Sequence, residues 1–249
     1  MNFQKKAARN RLIRYDNVIS MDTGKTVDQS EKIKHFQTHI LTYWEQHGRK
    51  DLPWRLTSDP WKLLLAEIFL RKTTSAQAAE VFKQIQDRTP EEIIRMDDAV
   101  LEETLKPLGL HKVRAAGIKE IAQSVIDTGD TQFSSDEYLR SLPGVGRYIS
   151  NSVRCCAFGY AAPALDTNMI RIIERVFGWK SSRKRPREDG KLWSFAETLV
   201  PCDNAREFNW GVLDLGAAVC TARNPKCMEC PLRKICNYYH NQVQTAALV

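Results

Sequence analysis

No stretch of 18 or more apolar residues occurs in the 249-residue chain, so no membrane-spanning helix is expected. The N-terminal MNFQKKAARNRLIRY is basic but lacks the apolar segment of a signal peptide, which argues for a cytoplasmic protein and against secretion. Sustained strand-like alternation is missing before residue 200, and no repeat of solenoid period is found. An even cysteine count is missing too. Seven cysteines without a signal peptide point to a reducing compartment and to ligand cysteines, not to a disulfide framework.

What remains is an ordinary globular composition, 43% hydrophobic and 27% charged, in a chain long enough for one large domain or two small ones. The net charge is +7. Its placement says more than its size. One basic cluster holds Lys5, Lys6, Arg9, Arg11 and Arg14; a second holds Lys180, Arg183, Lys184, Arg185, Arg187 and Lys191. Such clusters attract a phosphate backbone, and a solvated loop or targeting signal is the competing reading.

Apolar residues at helical spacing predict helices over 31–47, 75–86, 90–96, 98–105, 112–126 and 148–158, with short breaks. Asp59-Pro60 supplies an N-cap and an N1 proline for a further helix, WKLLLAEIFLRKTT, apolar on nearly every side. Glu67 is out of place there: a carboxylate among leucines must be paired, be neutral or face a pocket. His35 and His39 have the spacing of a metal pair but no third ligand, so a surface or packing role is expected. The expected fold is all-α, a two-lobed helical bundle. Residues 1–30 form a flexible basic arm, 51–164 a central helical domain, and 31–50 together with 165–240 the second lobe.

Between two of these helices lies Leu142-Pro143-Gly144-Val145-Gly146-Arg147. Two glycines permit a tight turn and close approach of a ligand, and the N–H groups at the start of the next helix form an anion site. Some twenty residues on, Asp166 precedes Thr167 and Asn168 at a helix start, where it serves at least as an N-cap. Cys220, Cys227, Cys230 and Cys236 then give four thiolates at C-x6-C-x2-C-x5-C spacing, which alone fits zinc or an iron–sulfur cluster.

Together the string LPGVGRYIS, the Asp166-x-Asn168 phrase and the cysteine spacing resemble the helix-hairpin-helix DNA glycosylases of the endonuclease III and MutY type. The resemblance covers roughly residues 31–240. It implies a 4Fe–4S cluster on the four cysteines and a hairpin, Leu142 to Arg147, that grips DNA, with a monovalent cation bound there. It further implies that Asp166 stabilises the sugar cation formed as the glycosidic bond breaks, and that Arg223, Lys226, Arg233 and Lys234 of the cluster loop meet phosphate. Double-stranded DNA with a mispaired base is the expected partner, met by a monomer in the nucleoid. Relatives that also cut the strand carry a Lys where this chain has Tyr148; a phenol forms no imine, so base release without strand cleavage is expected.

Tyr148, Glu67 and Asp166-x-Asn168 match two groups of relatives, the adenine glycosylases and the Mig-type thymine–guanine mismatch glycosylases. Arg71-Lys72-Thr73-Thr74 stands where the adenine group shows Gln-Gln-Thr, and the chain ends soon after the cysteines, without the adenine group's C-terminal domain. Both features favour thymine or uracil opposite guanine as substrate. Lys72 is a candidate to fill the gap left by a flipped nucleotide, and Arg71 and Asn168 are further candidate DNA contacts. Adenine release opposite 8-oxoguanine or guanine, and a non-catalytic DNA-binding module, stay open as alternatives.

Overall fold

The computed structural model describes residues 28–128 and 132–244; the basic cluster from Lys5 to Arg14, and most of the expected arm, lie outside them. The described residues are helical, with no strand among them. Eleven α-helices follow in order: α1 (Gln29–His47), α2 (Pro60–Phe69), α3 (Ser75–Ile85), α4 (Pro90–Arg95), α5 (Asp98–Leu105), α6 (His111–Thr128), α7 (Asp136–Ser141), α8 (Arg147–Phe158), α9 (Thr167–Phe177), α10 (Gly190–Leu199) and α11 (Ala205–Ala218). Local chemistry sets many of the starts. Asp59 accepts hydrogen bonds from the N–H groups of Trp61 and Lys62 at the head of α2. Thr74 with Gln77 and Thr89 with Glu92 form reciprocal caps on α3 and α4.

The apolar faces of these helices gather into two cores. One collects α2 to α8, with Leu64, Leu65, Phe69, Phe82, Ile118 and Val153 inside it. The other collects α1, α9, α10 and α11 around Phe36, Ile40, Ile172, Ile173, Phe208 and Leu215. Three helices feed both. In α1, Ile40 belongs to one core and Trp44 to the other; in α8, Cys155 and Cys156 divide in the same way; in α11, Phe208 and Trp210 do. Tyr148 packs against both cores at their seam.

A buried charge cluster ties the seam together. Arg55 donates to both carboxylate oxygens of Asp214 in α11, at 2.6 and 3.1 Å, and both side chains are almost wholly buried. Arg49 adds its backbone N–H and its guanidinium to the same carboxylate. Trp44 and Trp210 both lie against the Arg55 guanidinium, at 4.9 and 5.3 Å. Burial alone raises the Asp214 carboxyl, yet the two arginines hold it below the usual carboxylate range. α11 also needs Gly211, because a Cβ there sits 2.9 Å from the Ile40 backbone oxygen of α1. His35 and His39 lie on the outer part of α1, where the His39 ring contacts the His35 carbonyl, which is a surface role.

Candidate active site

The hairpin turn after α7 is built by two buried residues and two exposed glycines. Leu142 and Val145 are 3% and 6% exposed and anchor the turn in the core, with the Val145 N–H donating to the Leu142 carbonyl at 3.1 Å. Their side chains are thus structural, and only their backbone can meet a ligand. Gly144 has φ +71°, a conformation that favours glycine, and any Cβ there meets the Arg71 guanidinium at 3.0 Å. Gly146 caps α8 in an extended conformation without a side-chain cap, and a Cβ there meets nothing within 4 Å. The N-cap residue thus has no side chain to engage the first N–H groups of α8, as an anion site requires. Arg147, expected to join the hairpin's grip, is instead committed elsewhere. It pairs with Glu197 of α10 at 2.6 Å and lies 4.3 Å from the Trp193 ring.

Beside the turn, residues 68–74 are held by Arg114 of α6, whose guanidinium donates to the carbonyls of Ile68 and Arg71 at 2.8 and 2.6 Å and to Gly109 at 2.9 Å. Arg71 reaches the Gly144 carbonyl at 3.5 Å. Lys72 is exposed with φ +55°, and Leu110, across the Arg114 brace, is exposed with φ +52°. Lys72 and Leu110, both exposed and both in the left-handed region, form a pair that only the fold reveals.

Glu67 of α2, Tyr148 and Ser152 of α8 and Asp166 before α9 converge at the seam between the cores. Ser152 donates to Glu67 Oε1 at 2.5 Å, and the Tyr148 hydroxyl also hydrogen-bonds the Glu67 carboxylate. Burial pushes the Glu67 carboxyl up to about 7, the negative charge of Asp166 adds to the rise, and the two hydroxyl donors only partly offset it. Of the options open to this glutamate, the structure takes neutrality: its direct partners are hydroxyls, not an arginine. Burial, and then the charges of Glu67 and Asp166, hold the Tyr148 phenol well above its usual range. Tyr148 stays a neutral donor at any working pH.

Asp166 does two things at once. One oxygen accepts from the Met169 N–H at 2.8 Å and caps α9; the other accepts from Asn168 Nδ2 at 2.7 Å. Burial raises its carboxyl, and those donors together with the positive charge of Arg187 oppose the rise. Asn168 therefore acts on Asp166, and its position is fixed from behind. Arg171 donates to Asn168 Oδ1 at 2.8 Å, to the Gly216 carbonyl at 2.7 Å and to the Cys220 carbonyl at 2.7 Å. At Gly216 a Cβ falls 2.5 Å from the Asn168 Cβ, so α11 approaches this closely only as glycine.

The loop leading to Asp166 is held by two buried asparagines. Asn151 of α8 donates to the Pro163 carbonyl at 3.0 Å; Asn209 of α11 accepts from the Ala164 N–H at 2.8 Å and donates to the Ala162 carbonyl at 3.0 Å. Sequence reasoning missed Asn151, Ser152, Arg171, Asn209 and Gly216. The available signal was a polar Ser150-Asn151-Ser152 run inside an apolar helix, and a lone Asn209 between Phe208 and Trp210.

Cys220, Cys227, Cys230 and Cys236 line one cavity behind α9, with Val176, Leu232 and Tyr238 in its wall. Among the described residues, no three His, Cys, Asp or Glu side chains are arranged to hold a single metal ion. A cluster several atoms across accepts a wider spacing than the ~2.3 Å bonds of one zinc ion. Burial, with the charges of the other three sulfurs, pushes the Cys230 thiol up to about 12, so Cys230 becomes a thiolate only with a cationic group beside it. Arg175 donates to Cys220 Sγ at 3.3 Å. The residues fit an iron–sulfur cluster.

Residues 65–197 match the model of the HhH-GPD superfamily base excision DNA repair proteins, and residues 220–236 that of the iron–sulfur binding domain of endonuclease III. The chain is similar to a thymine-DNA glycosylase of Aeropyrum pernix, 43% identical over 215 residues that cover 84% of this chain and 96% of that protein. It is 44% identical over 214 residues to a thymine/uracil-DNA glycosylase of Pyrobaculum aerophilum, covering 83% and 93% of the two chains. Among solved structures, a thermostable thymine-DNA glycosylase superposes with a TM-score of 0.79 at 37% identity, over 85% of this chain and 98% of the other.

Proposed function

The chain belongs to the HhH-GPD superfamily of base excision DNA repair proteins and carries an iron–sulfur binding domain, and on that premise we propose that it is a monofunctional DNA glycosylase releasing thymine or uracil mispaired with guanine. The convergence of Glu67, Tyr148 and Asp166 at the end of a DNA-gripping hairpin carries this reading. Relatives named for thymine or uracil support the choice of base.

In this reading the hairpin N–H groups from Gly146 onward hold a backbone phosphate, and the same turn would hold a monovalent cation. The target nucleotide is turned out of the stack into the seam between the two cores. Leu110 and Lys72, exposed on the rim, enter the space it leaves. As the N1–C1′ bond lengthens, positive charge grows on the sugar, and the Asp166 carboxylate stabilises it while directing water to C1′. The bond's electron pair leaves with the base. Glu67, which holds its proton near neutrality, donates a hydrogen bond to the pyrimidine as that negative charge develops. Tyr148 lines the pocket and, lacking an amine, forms no imine with the sugar. Cys220, Cys227, Cys230 and Cys236 would hold a 4Fe–4S cluster that closes the C-terminal loop, and the Cys220 carbonyl, through Arg171, braces Asn168 against Asp166. The protein acts as a monomer in the nucleoid.

A panel of duplexes with T:G, U:G, A:G and A:8-oxoguanine, scored for abasic sites after alkali, tests the reading. Release from T:G and U:G, with no borohydride-trapped adduct, is expected. Release from A:8-oxoguanine alone overturns the choice of base; strong trapping overturns the monofunctional assignment.

A further inference from the structure

The basic segment between α9 and α10 is left unused by the site described above, and it is not a loose solvated loop. Residues 180–191 hold six cations against two acids. One acid, Asp189, is turned inward and 6% exposed, where it accepts from the Ser181 hydroxyl at 2.6 Å and from the Lys191 N–H at 3.0 Å. The Ser181 hydroxyl oxygen in turn accepts from the Arg183 N–H at 3.1 Å. A short 3-10 turn, Pro186–Glu188, completes the frame. The other acid, Glu188, is taken by Arg185 at 3.1 Å, the segment's one salt bridge among the described residues. Arg183, Lys184 and Arg187 are left exposed on this frame and form no salt bridge among the described residues.

The frame is also fixed against the hairpin. The Arg187 carbonyl accepts from Trp193 Nε1 at 2.8 Å, and the same indole carries the Arg147 guanidinium at 4.3 Å. Arg147 is the first residue of α8, next to the uncapped N–H groups of Gly146 and its neighbours. The charge of Arg187 is felt at Asp166, so the segment lies within electrostatic reach of the cleft. Three exposed cations outside any salt bridge are thus tied through Trp193 to the residue that starts the hairpin's helix.

We propose that Arg183, Lys184 and Arg187 are a second phosphate grip, which holds the backbone of the same duplex that the hairpin binds. The inference rests on the reading of this chain as a DNA-binding enzyme and extends it to a site outside the hairpin. It also explains the commitment of Arg147. Held by Glu197 and Trp193, that side chain is the strut that joins the two grips, and not a phosphate contact itself.

The test is the salt dependence of binding to a fully paired duplex, followed by fluorescence anisotropy between about 50 and 200 mM KCl. Each phosphate contact contributes about 0.9 to the slope of log affinity against log salt, so loss of three lowers the slope by about 2.7. Across that fourfold range the wild type then weakens roughly 40-fold more than R183A/K184A/R187A. A control of equal charge change, K34A/K83A/R95A, removes three exposed cations from α1, α3 and α4 and is expected to keep the wild-type slope. Equal slopes for the two triple variants reduce the effect to net charge and overturn the inference, as does a wild-type slope in the loop variant. Binding to a paired duplex involves no base release, so this outcome is separate from the identity of the base excised.

Discussion

Replacing Glu67 by glutamine tests the electrostatics of the site without touching its shape. In the folded protein this carboxyl keeps its proton up to a pH of about 7, whereas its ordinary value is 4.5. The unfolded chain therefore gives up the proton first. Above pH 4.5 the unfolded state binds fewer protons than the folded one, so this group lowers stability as pH rises, until the folded carboxyl also ionises near pH 7. The difference is on the order of 3 kcal/mol, at about 1.4 kcal/mol for each pH unit that separates the two values. The amide of the E67Q variant carries no such penalty and still accepts from the Tyr148 and Ser152 hydroxyls. Urea unfolding followed by circular dichroism, at about pH 5 and about pH 8.5, reads the effect, since all other titrating groups are common to both proteins. The stability of E67Q relative to wild type is expected to grow by roughly 2–3 kcal/mol between those two pH values. A difference that stays constant with pH refutes the assignment of a buried, protonated Glu67.

Three further outcomes follow from the same geometry. Tyr148→Phe removes a hydrogen bond that lowers the Glu67 carboxyl, so the fall in base release above pH 7 is expected to move to higher pH; single-turnover rates against pH check the direction. Gly216→Ala forces a Cβ to within 2.5 Å of the Asn168 Cβ and should cost about 1–3 kcal/mol, seen as a drop of several degrees in melting temperature, together with slower base release as Asn168 shifts from Asp166. Arg55→Met leaves Asp214 with Arg49 alone in a buried setting, and a loss of about 3–5 kcal/mol in chemical denaturation is expected, with unfolding at growth temperature as the extreme result.

The parts of this molecule that were legible in its sequence are those whose chemistry is local. The turn of LPGVGRYIS, the cap at Asp166 and the spacing of the four cysteines each depend on a few adjacent residues. Glu67 was legible for a different reason, as one carboxylate in a helix otherwise apolar. Most helix bounds came within a residue or two, because caps such as Asp59 and Thr89 sit next to the helices they start. The exception is α2, expected to run to Thr74 but ended at Phe69, ahead of the left-handed Lys72. What was not legible depends on contacts across the chain. Arg55 meets Asp214 over 159 residues, and the division of α1, α8 and α11 between two cores has no trace in any single period. Leu142 and Val145 read as part of a main-chain grip, and the burial that takes their side chains inside anchors that turn. Arg147 reads the same way, and Glu197, fifty residues on, claims it. The left-handed backbone at Lys72 and Leu110 follows from the Arg114 brace, which no local rule announces.

The central claim is that the carboxylate of Asp166, set between the hairpin and the Glu67–Tyr148 pair, is what breaks the glycosidic bond. Asp166→Asn keeps an acceptor for the Met169 N–H and so preserves the cap on α9, while it removes the negative charge. Single-turnover release of thymine from a T:G duplex, measured beside the affinity of the same protein for that duplex, separates the two roles. The expected result is affinity within a few-fold of wild type and base release slowed by about 1,000-fold or more. Base release at the wild-type rate by the folded, DNA-bound variant contradicts the claim.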